Sequence, residues 1–390
     1  MVYHMTEWIE CTLDKLGEIV GGATPSTKCE DYYGGSIPWI TPKDLSSFKG
    51  RYITSGERNI TEKGLASCSA QMMPKDAVLF TSRAPIGYVA IASQSVCTNQ
   101  GFKSIVVNDK ADPLFVYYLL KYNKDAIEAM GSGTTFKEVS GKTMRAVKVR
   151  IPLDVSYQKR IAAVLDSLDT KIENSERIND NLQQQAAALF SSLYDRSNTE
   201  VRFTDLIQIL GGGTPKTGEN TYWNGNIAFF TPKDVGIPYT LITEKTISKE
   251  GLSHCNSRLY PVNTVFVTAR GTVGKVGMSG VPMAMNQSCY ALVGKETHQL
   301  LVYFYTLKAV DRLKHKASGA VFDAITTRDF ESEQIMKLSD DDATAFLRVA
   351  EPMFQEVLNN NIENLRLSTL RDSLLPKLMS GEIDVSAVQL

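Results

Sequence analysis

The chain has 390 residues, 43% apolar and 22% charged, enough to bury at least two hydrophobic cores at ordinary globular usage. A formal net charge of -1 argues against a uniformly basic nucleic-acid binder, and no uncharged apolar run approaches the roughly 20 residues of a membrane span. The first residues lack a basic start followed by an apolar block, and the six cysteines stand apart with neither a C-x-x-C pair nor histidines at zinc spacing, so the expectation is a reduced, metal-free, cytoplasmic protein.

Charge divides along the chain into four blocks: +3 over residues 1–150, -3 over 151–200, +4 over 201–338 and -5 over 339–390. The first basic block opens with "GGATP" (21–25) and "IPWITPKDL" (37–45), then carries "ITEKGL" (60–65), "TSRAPIG" (81–87) and Asn99-Gln100. Short β-rich runs such as "DAVLFTS", bounded by Pro, Gly and Asn, precede a helical stretch, "DPLFVYYLLKYNKDAIEAM". This predicts a compact α/β (α+β) domain over 1–152. Residues 153–198 then run to about Arg196 without Gly or Pro, with apolar residues on two seven-residue tracks. One holds Ile161, Leu168, Ser175, Leu182 and Leu189; the other holds Leu165, Ile172, Asn179, Ala186 and Leu193. A sustained heptad seam predicts one long helix with a helical partner.

The next basic block, 199–339, repeats the first. "GGGTP" (211–215), "IAFFTPKDV" (227–235), "ISKEGL" (247–252), "TARGTVG" (268–274) and Asn286-Gln287 return in the same order, and "SGAVF" (318–322) answers "SGTTF" (132–136). The acidic residues 340–390 repeat the helix less cleanly: Phe346, Met353, Asn360, Leu367 and Leu374 on one track, Ala350, Val357, Asn364 and Leu378 on the other, with Arg371 interrupting. The whole is a tandem duplication. A helix of about 40 residues is roughly 60 Å long, so the expected object is pseudo-twofold, with one globular domain near each end of an antiparallel coiled-coil spacer. The alternative is two separate helices, each packed on its own domain. Mid-seam Ser175, Asn179, Asn360 and Asn364 are placed to fix register by pairing buried polar groups.

Catalytic motifs are missing. "GGATP" and "GGGTP" lack the Gly-Lys-Ser/Thr of a phosphate cradle, and neither a G-x-S-x-G elbow nor an H-E-x-x-H pair occurs. The four histidines do not cluster.

Paired "GGxTP…TPKD" blocks, each followed by "T.R...G" and "NQ", separated by a Leu/Ile heptad helix and closed by a second ending "LRDSLLPKLMSGEI" (370–383), resemble the specificity subunit of type I restriction-modification systems. The resemblance spans essentially the whole chain. It implies two target recognition domains reading the halves of a split, asymmetric DNA site, and a coiled coil acting as a ruler. It further implies docking of two modification (methyltransferase) subunits, joined in some complexes by restriction subunits. S-adenosylmethionine and ATP would belong to those partners, and this chain would be non-catalytic and carry no cofactor. A reading from another class is a coiled-coil scaffold with two protein-binding ends.

Domains that read different words share what builds the fold or touches phosphate and differ where bases are read. The shared polar residues are Thr41, Lys43, Asp44 and Arg83, with copies Thr231, Lys233, Asp234 and Arg270. Both arginines follow apolar strands in Gly/Pro-bounded turns, suited either to a phosphate or guanine edge or to pinning a loop. In Thr-Pro-Lys-Asp, Pro sets a turn that Asp caps, with direct DNA contact, through Lys43 and Lys233, as the alternative. Asn99-Gln100 and Asn286-Gln287 read as structural or backbone contacts, with adenine as the alternative. Further DNA-binding candidates are Arg51, Arg58, Lys137, Lys142 and Arg145 in the first domain, with Lys49 beside them. In the second they are Tyr239, Lys245, Lys316 and Arg328, with Lys314 nearby.

Overall fold

The computed structural model describes residues 7–133, 137–236, 238–316 and 324–389; most of the "SGTTF" and "SGAVF" pair lies outside them. The chain divides into two units, one of residues 1–173 with 366–390, the other of residues 174–365.

In the first unit Val78–Ser82 is buried at every position, since this β-rich run is the central strand of a five-stranded sheet. Its order is Gly17–Gly21, Lys103–Val107, Val78–Ser82, Ile86–Ala92, Tyr52–Ile53, antiparallel except for the last pair. A second sheet sets Tyr33–Ile40 between Arg58–Ile60 and Cys97–Thr98, and a ribbon pairs Trp8–Thr12 with Lys148–Pro152. Asp112 caps the helix Pro113–Tyr122 by accepting from the Phe115 N–H at 3.0 Å, and the helix packs on the large sheet with Phe115 through Leu120 all buried in the core around it.

The second unit repeats this topology. Its large sheet runs Ile207–Gly211, Cys289–Gly294, Val265–Thr268, Val276–Ser279, Tyr239–Thr240, and its small one runs Lys245–Ile247, Trp223–Phe230, Met283–Met285. The repeated glycines have a steric cause: a Cβ on Gly22 would lie 2.1 Å from the Asn99 carbonyl, and one on Gly212 2.2 Å from that of Asn286. Only glycine lets the strand-to-loop bend approach the "NQ" turn so closely.

Residues Val155–Asp195 form one helix and Asp340–Ser380 another, each of 41 residues. The second contains Pro352 and Pro376, each of which removes an internal hydrogen bond. It continues because Phe346, Ala350, Phe354 and Val357 on either side of the first proline and Leu378 and Met379 beyond the second are anchored in domain cores. In each unit the two helices pair antiparallel. The first unit joins Asp169 to Arg371 and Tyr157 to Asp384; the second joins Asn179 to Asn360 and stacks Phe190 edge-on against Phe346.

The strict two-track seam requires correction. Ile161, Leu165, Phe346, Val357 and Leu378 are buried, but Leu168, Ile172, Leu182, Leu189, Met353, Leu367 and Leu374 are only partly so, while Asp169 and Phe190, on neither track, are buried. Near its ends each helix faces both its partner and its domain, so buried positions recur at α-helical spacing, as in Ile161, Leu165 and Asp169. Between these ends the buried side chains are polar. Within the second unit Asn360 donates to Asn179 Oδ1 at 2.9 Å, and Asn179 donates to Asn361 Oδ1 at 2.9 Å, so Asn361 rather than Asn364 completes the pairing.

Candidate nucleic-acid interface

The Thr-Pro-Lys-Asp turns are built alike. Asp44 Oδ2 accepts from the Thr41 N–H (2.7 Å) and hydroxyl (2.6 Å), and its Oδ1 accepts from the Glu57 N–H at 2.7 Å. Asp234 does the same for Thr231 (2.8 and 2.6 Å) and Glu244 (2.7 Å). Both aspartates therefore point inward and hold a turn. The lysine between them points outward: Lys43 meets Glu57 at 2.7 Å and lowers its carboxyl pKa, while Lys233 stands 3.9 Å from Glu244.

Beside this turn the second unit has a cleft of about 580 Å³ that gathers Lys233, Lys245 and Arg270 with Thr231, Thr272 and Ser288. The Lys245 ammonium lies 5.6 Å over the Trp223 ring. Arg270 is exposed and faces Ala324 in a β-bridge. At the matching place in the first unit Arg83 bridges to Glu138, whose carboxylate lies 3.6 Å from Arg83 and 3.7 Å from Lys103. Arg58, the counterpart of Lys245, is exposed and borders a second groove of about 590 Å³ with Glu30 and Tyr33.

The "NQ" pairs divide their labour. Asn99 Oδ1 accepts from the Gly101 N–H (2.9 Å) and Asn286 Oδ1 from the Ser288 N–H (3.0 Å), which closes each turn. Gln100 and Gln287 are exposed, their carbonyls bound by the hydroxyls of Thr24 and Thr214.

Two candidates lie away from any such surface. Arg51 is 5% exposed: Nε and Nη2 fork onto Glu173 at 3.2 and 3.0 Å, Nη1 donates to the Asp166 carbonyl at 3.0 Å and to its carboxylate, and Nη2 reaches Thr170 Oγ1 at 2.9 Å. Burial opposes its charge, but Tyr118, Asp166 and Glu173 more than offset this and hold its pKa above the ordinary value. Arg51 fastens its domain to the first long helix and is not available to DNA. Tyr239 is likewise buried, its ring 6.5 Å from that of Phe354 and its hydroxyl donating to Asn263 at 3.0 Å. Its phenol pKa is raised by burial.

Lys316 is exposed in part, but its ammonium neutralises the fully buried Glu333 together with Arg312 at 2.8 Å. Lys137, Lys142, Arg145 and Arg328 are exposed, the second and third on the helix Gly141–Ala146 and the last on Thr327–Ser332. Sequence reasoning missed Glu138, whose signal was available: it is the acidic residue that Ala324 replaces in the copy. It also missed Asp169, which accepts from the Tyr118 hydroxyl at 2.7 Å and from Arg371 at 2.6 Å. Arg371, taken as an interruption of the seam, is the partner of this buried carboxylate.

Among the described residues no helix is long and apolar enough to cross a membrane, and no group of three or more His, Cys, Asp or Glu is placed to hold a metal. The repeated fold defines a tandem-duplicated protein in which each unit presents the same cationic turn. Residues 5–184 and 196–337 match the type I restriction modification DNA specificity domain, so the chain belongs to the family of type I restriction-modification specificity subunits. It is 30% identical over 408 residues to the MjaIX type I restriction enzyme specificity subunit of Methanocaldococcus jannaschii, covering 97% of this chain and 94% of that one. It is 24% identical over 370 residues to the HindI specificity subunit of Haemophilus influenzae, covering 72% and 80%. Its fold is similar to that of the type I restriction-modification S subunit from M. genitalium, with a TM-score of 0.64 at 16% identity over 97% of both chains. Membership places the chain among specificity components, not catalysts, and leaves the scaffold reading without support.

Proposed function

We propose that this chain reads a split, asymmetric site on double-stranded DNA, one half with each domain, and docks two modification subunits that methylate it. S-adenosylmethionine enters with those subunits, and ATP with any restriction subunit that joins them. The observation carrying this reading is the duplicated Thr-Pro-Lys-Asp turn. Its frame is repeated residue for residue at Thr41, Asp44, Thr231 and Asp234, while the surrounding positions differ: Arg58 against Lys245, Glu138 against Ala324, Gly101 against Ser288. A shared frame with divergent surroundings is what two readers of different words require. Either domain alone makes too few contacts for tight binding, and linking the two raises affinity through effective concentration.

The test is co-expression with the modification subunit of the source genome in an unmethylated host, followed by sequencing of modified bases. A bipartite motif that appears only when this chain is present supports the proposal. A contiguous motif, or the same methylation without this chain, overturns it.

A further inference from the structure

We infer that Arg270 is a phosphate-contacting residue of the second domain, whereas Arg83, at the matching position of the first, is a pin held within the protein. This rests on the DNA-reading function proposed above and adds an asymmetry to it. Both arginines leave the end of a buried strand and bridge to a residue on the returning segment, so their backbones are equivalent. What differs is the charge opposite. Glu138 draws Arg83 to 3.6 Å and shares itself with Lys103 at 3.7 Å. The copy has Ala324 in place of Glu138 and Tyr290 in place of Lys103, and among the described residues no carboxylate lies within ion-pair distance of Arg270.

The neighbours amplify the difference. Three cations, Lys233, Lys245 and Arg270, border the cleft of the second domain against one carboxylate, Glu244, whose nearest approach to Lys233 is 3.9 Å. Asp234 is committed inward to Thr231 and the Glu244 N–H and does not offset them. In the first domain Lys43 is held by Glu57 at 2.7 Å and Arg83 by Glu138, so fewer donors are left for a ligand. A guanidinium with no carboxylate within ion-pair distance among the described residues, beside two ammonium groups and the Thr272 and Ser288 hydroxyls, is a donor set for a phosphodiester oxygen.

The experiment measures binding of the full-length chain to a fluorescein-labelled duplex of mixed sequence across a salt series. Each lost phosphate contact reduces the log-log slope by about 0.9. Arg270→Ala is expected to weaken binding and reduce the slope by that amount, and Ala324→Glu, which restores the tether at an exposed position, to reproduce it. Arg83→Ala is expected to leave the slope unchanged, and Glu138→Ala to steepen it. The inference is overturned if Arg270→Ala leaves the slope of a folded protein unchanged, if Arg83→Ala loses as much, or if the loss at Arg270 is confined to duplexes with one particular base. Wild-type protein with no salt-dependent DNA binding would instead remove the function proposed above. The two failures are thereby distinguished.

Discussion

Replacing Arg51 by Met distinguishes a fastening from a DNA contact, because the two roles predict opposite changes in two measurements. The methionine keeps the apolar stem and removes the fork that joins Glu173, Asp166 and Thr170. Breaking a fully buried pair costs about 3–5 kcal/mol, but the Asp166 and Glu173 side chains remain 32% and 34% exposed and rehydrate, so the loss falls to about 2–3 kcal/mol. Arg51→Lys retains the charge without the fork and loses about 1–2 kcal/mol. The assay is urea unfolding followed by the fluorescence of Trp8 and Trp39, with Trp223 changed to Phe so that only the first unit reports. A fall in the urea midpoint with an unaltered salt slope for DNA binding is the expected result. Unchanged stability with a slope reduced by about one contact would refute the fastening role and return Arg51 to the DNA surface.

Asn179→Leu strands the Asn360 amide in a site where it is 8% exposed and costs about 1–3 kcal/mol in urea unfolding. Leu at both 179 and 360 recovers most of that but loosens the helix register, read by cysteine cross-linking of flanking positions; a single fixed register in the double variant would contradict the role given to the pair. At the C-terminal side of the first unit, Asp384 Oδ1 accepts from the Ser386 hydroxyl (2.6 Å) and N–H (2.9 Å) and from the Tyr157 hydroxyl (2.9 Å). These bonds hold its carboxyl below the ordinary value. Its contribution is therefore complete above the usual aspartate pKa of about 3.9 and is lost as pH falls through the lower folded value. Protection of the Val385 N–H, which donates to Tyr157 at 3.2 Å, should fall below about pH 4 in wild type and show no such dependence in Asp384→Asn; equal acid sensitivity in both would disprove the linkage.

Much of the fold was legible because duplication made the sequence its own comparison. The return of "GGATP" as "GGGTP" is visible in the sequence, and the structure supplies its cause: carbonyls stand about 2 Å from where a Cβ would be. The long helices were legible from the scarcity of Gly and Pro in the first and from its apolar spacing. What stayed hidden was which charges are spent inside. Arg51 and Arg58 are seven residues apart in one polar stretch, yet one is sealed against a helix and the other open to water. Composition carries no sign of that difference, since the deciding partners, Asp166 and Glu173, are more than 100 residues away. Arg371 was misread for the same reason: a guanidinium interrupts an apolar seam until its buried carboxylate is found. Glu138 was different, because an acid present in one copy and absent from the other is visible in the sequence.

The two domains stand on unlike footings. In the first unit Tyr118, Asp169, Arg371 and Arg51 form a hydrogen-bonded ionic seat; in the second, Tyr239, Phe304, Phe346 and Phe354 form an aromatic one. A recognition domain moved from the first place to the second would press a buried arginine and a tyrosine hydroxyl onto phenyl rings with nothing to accept their protons. Gene shuffling that keeps each domain in its own place retains the matching seat, whereas shuffling between places does not. New specificities in this lineage should therefore arise by trading front halves for front halves and back halves for back halves.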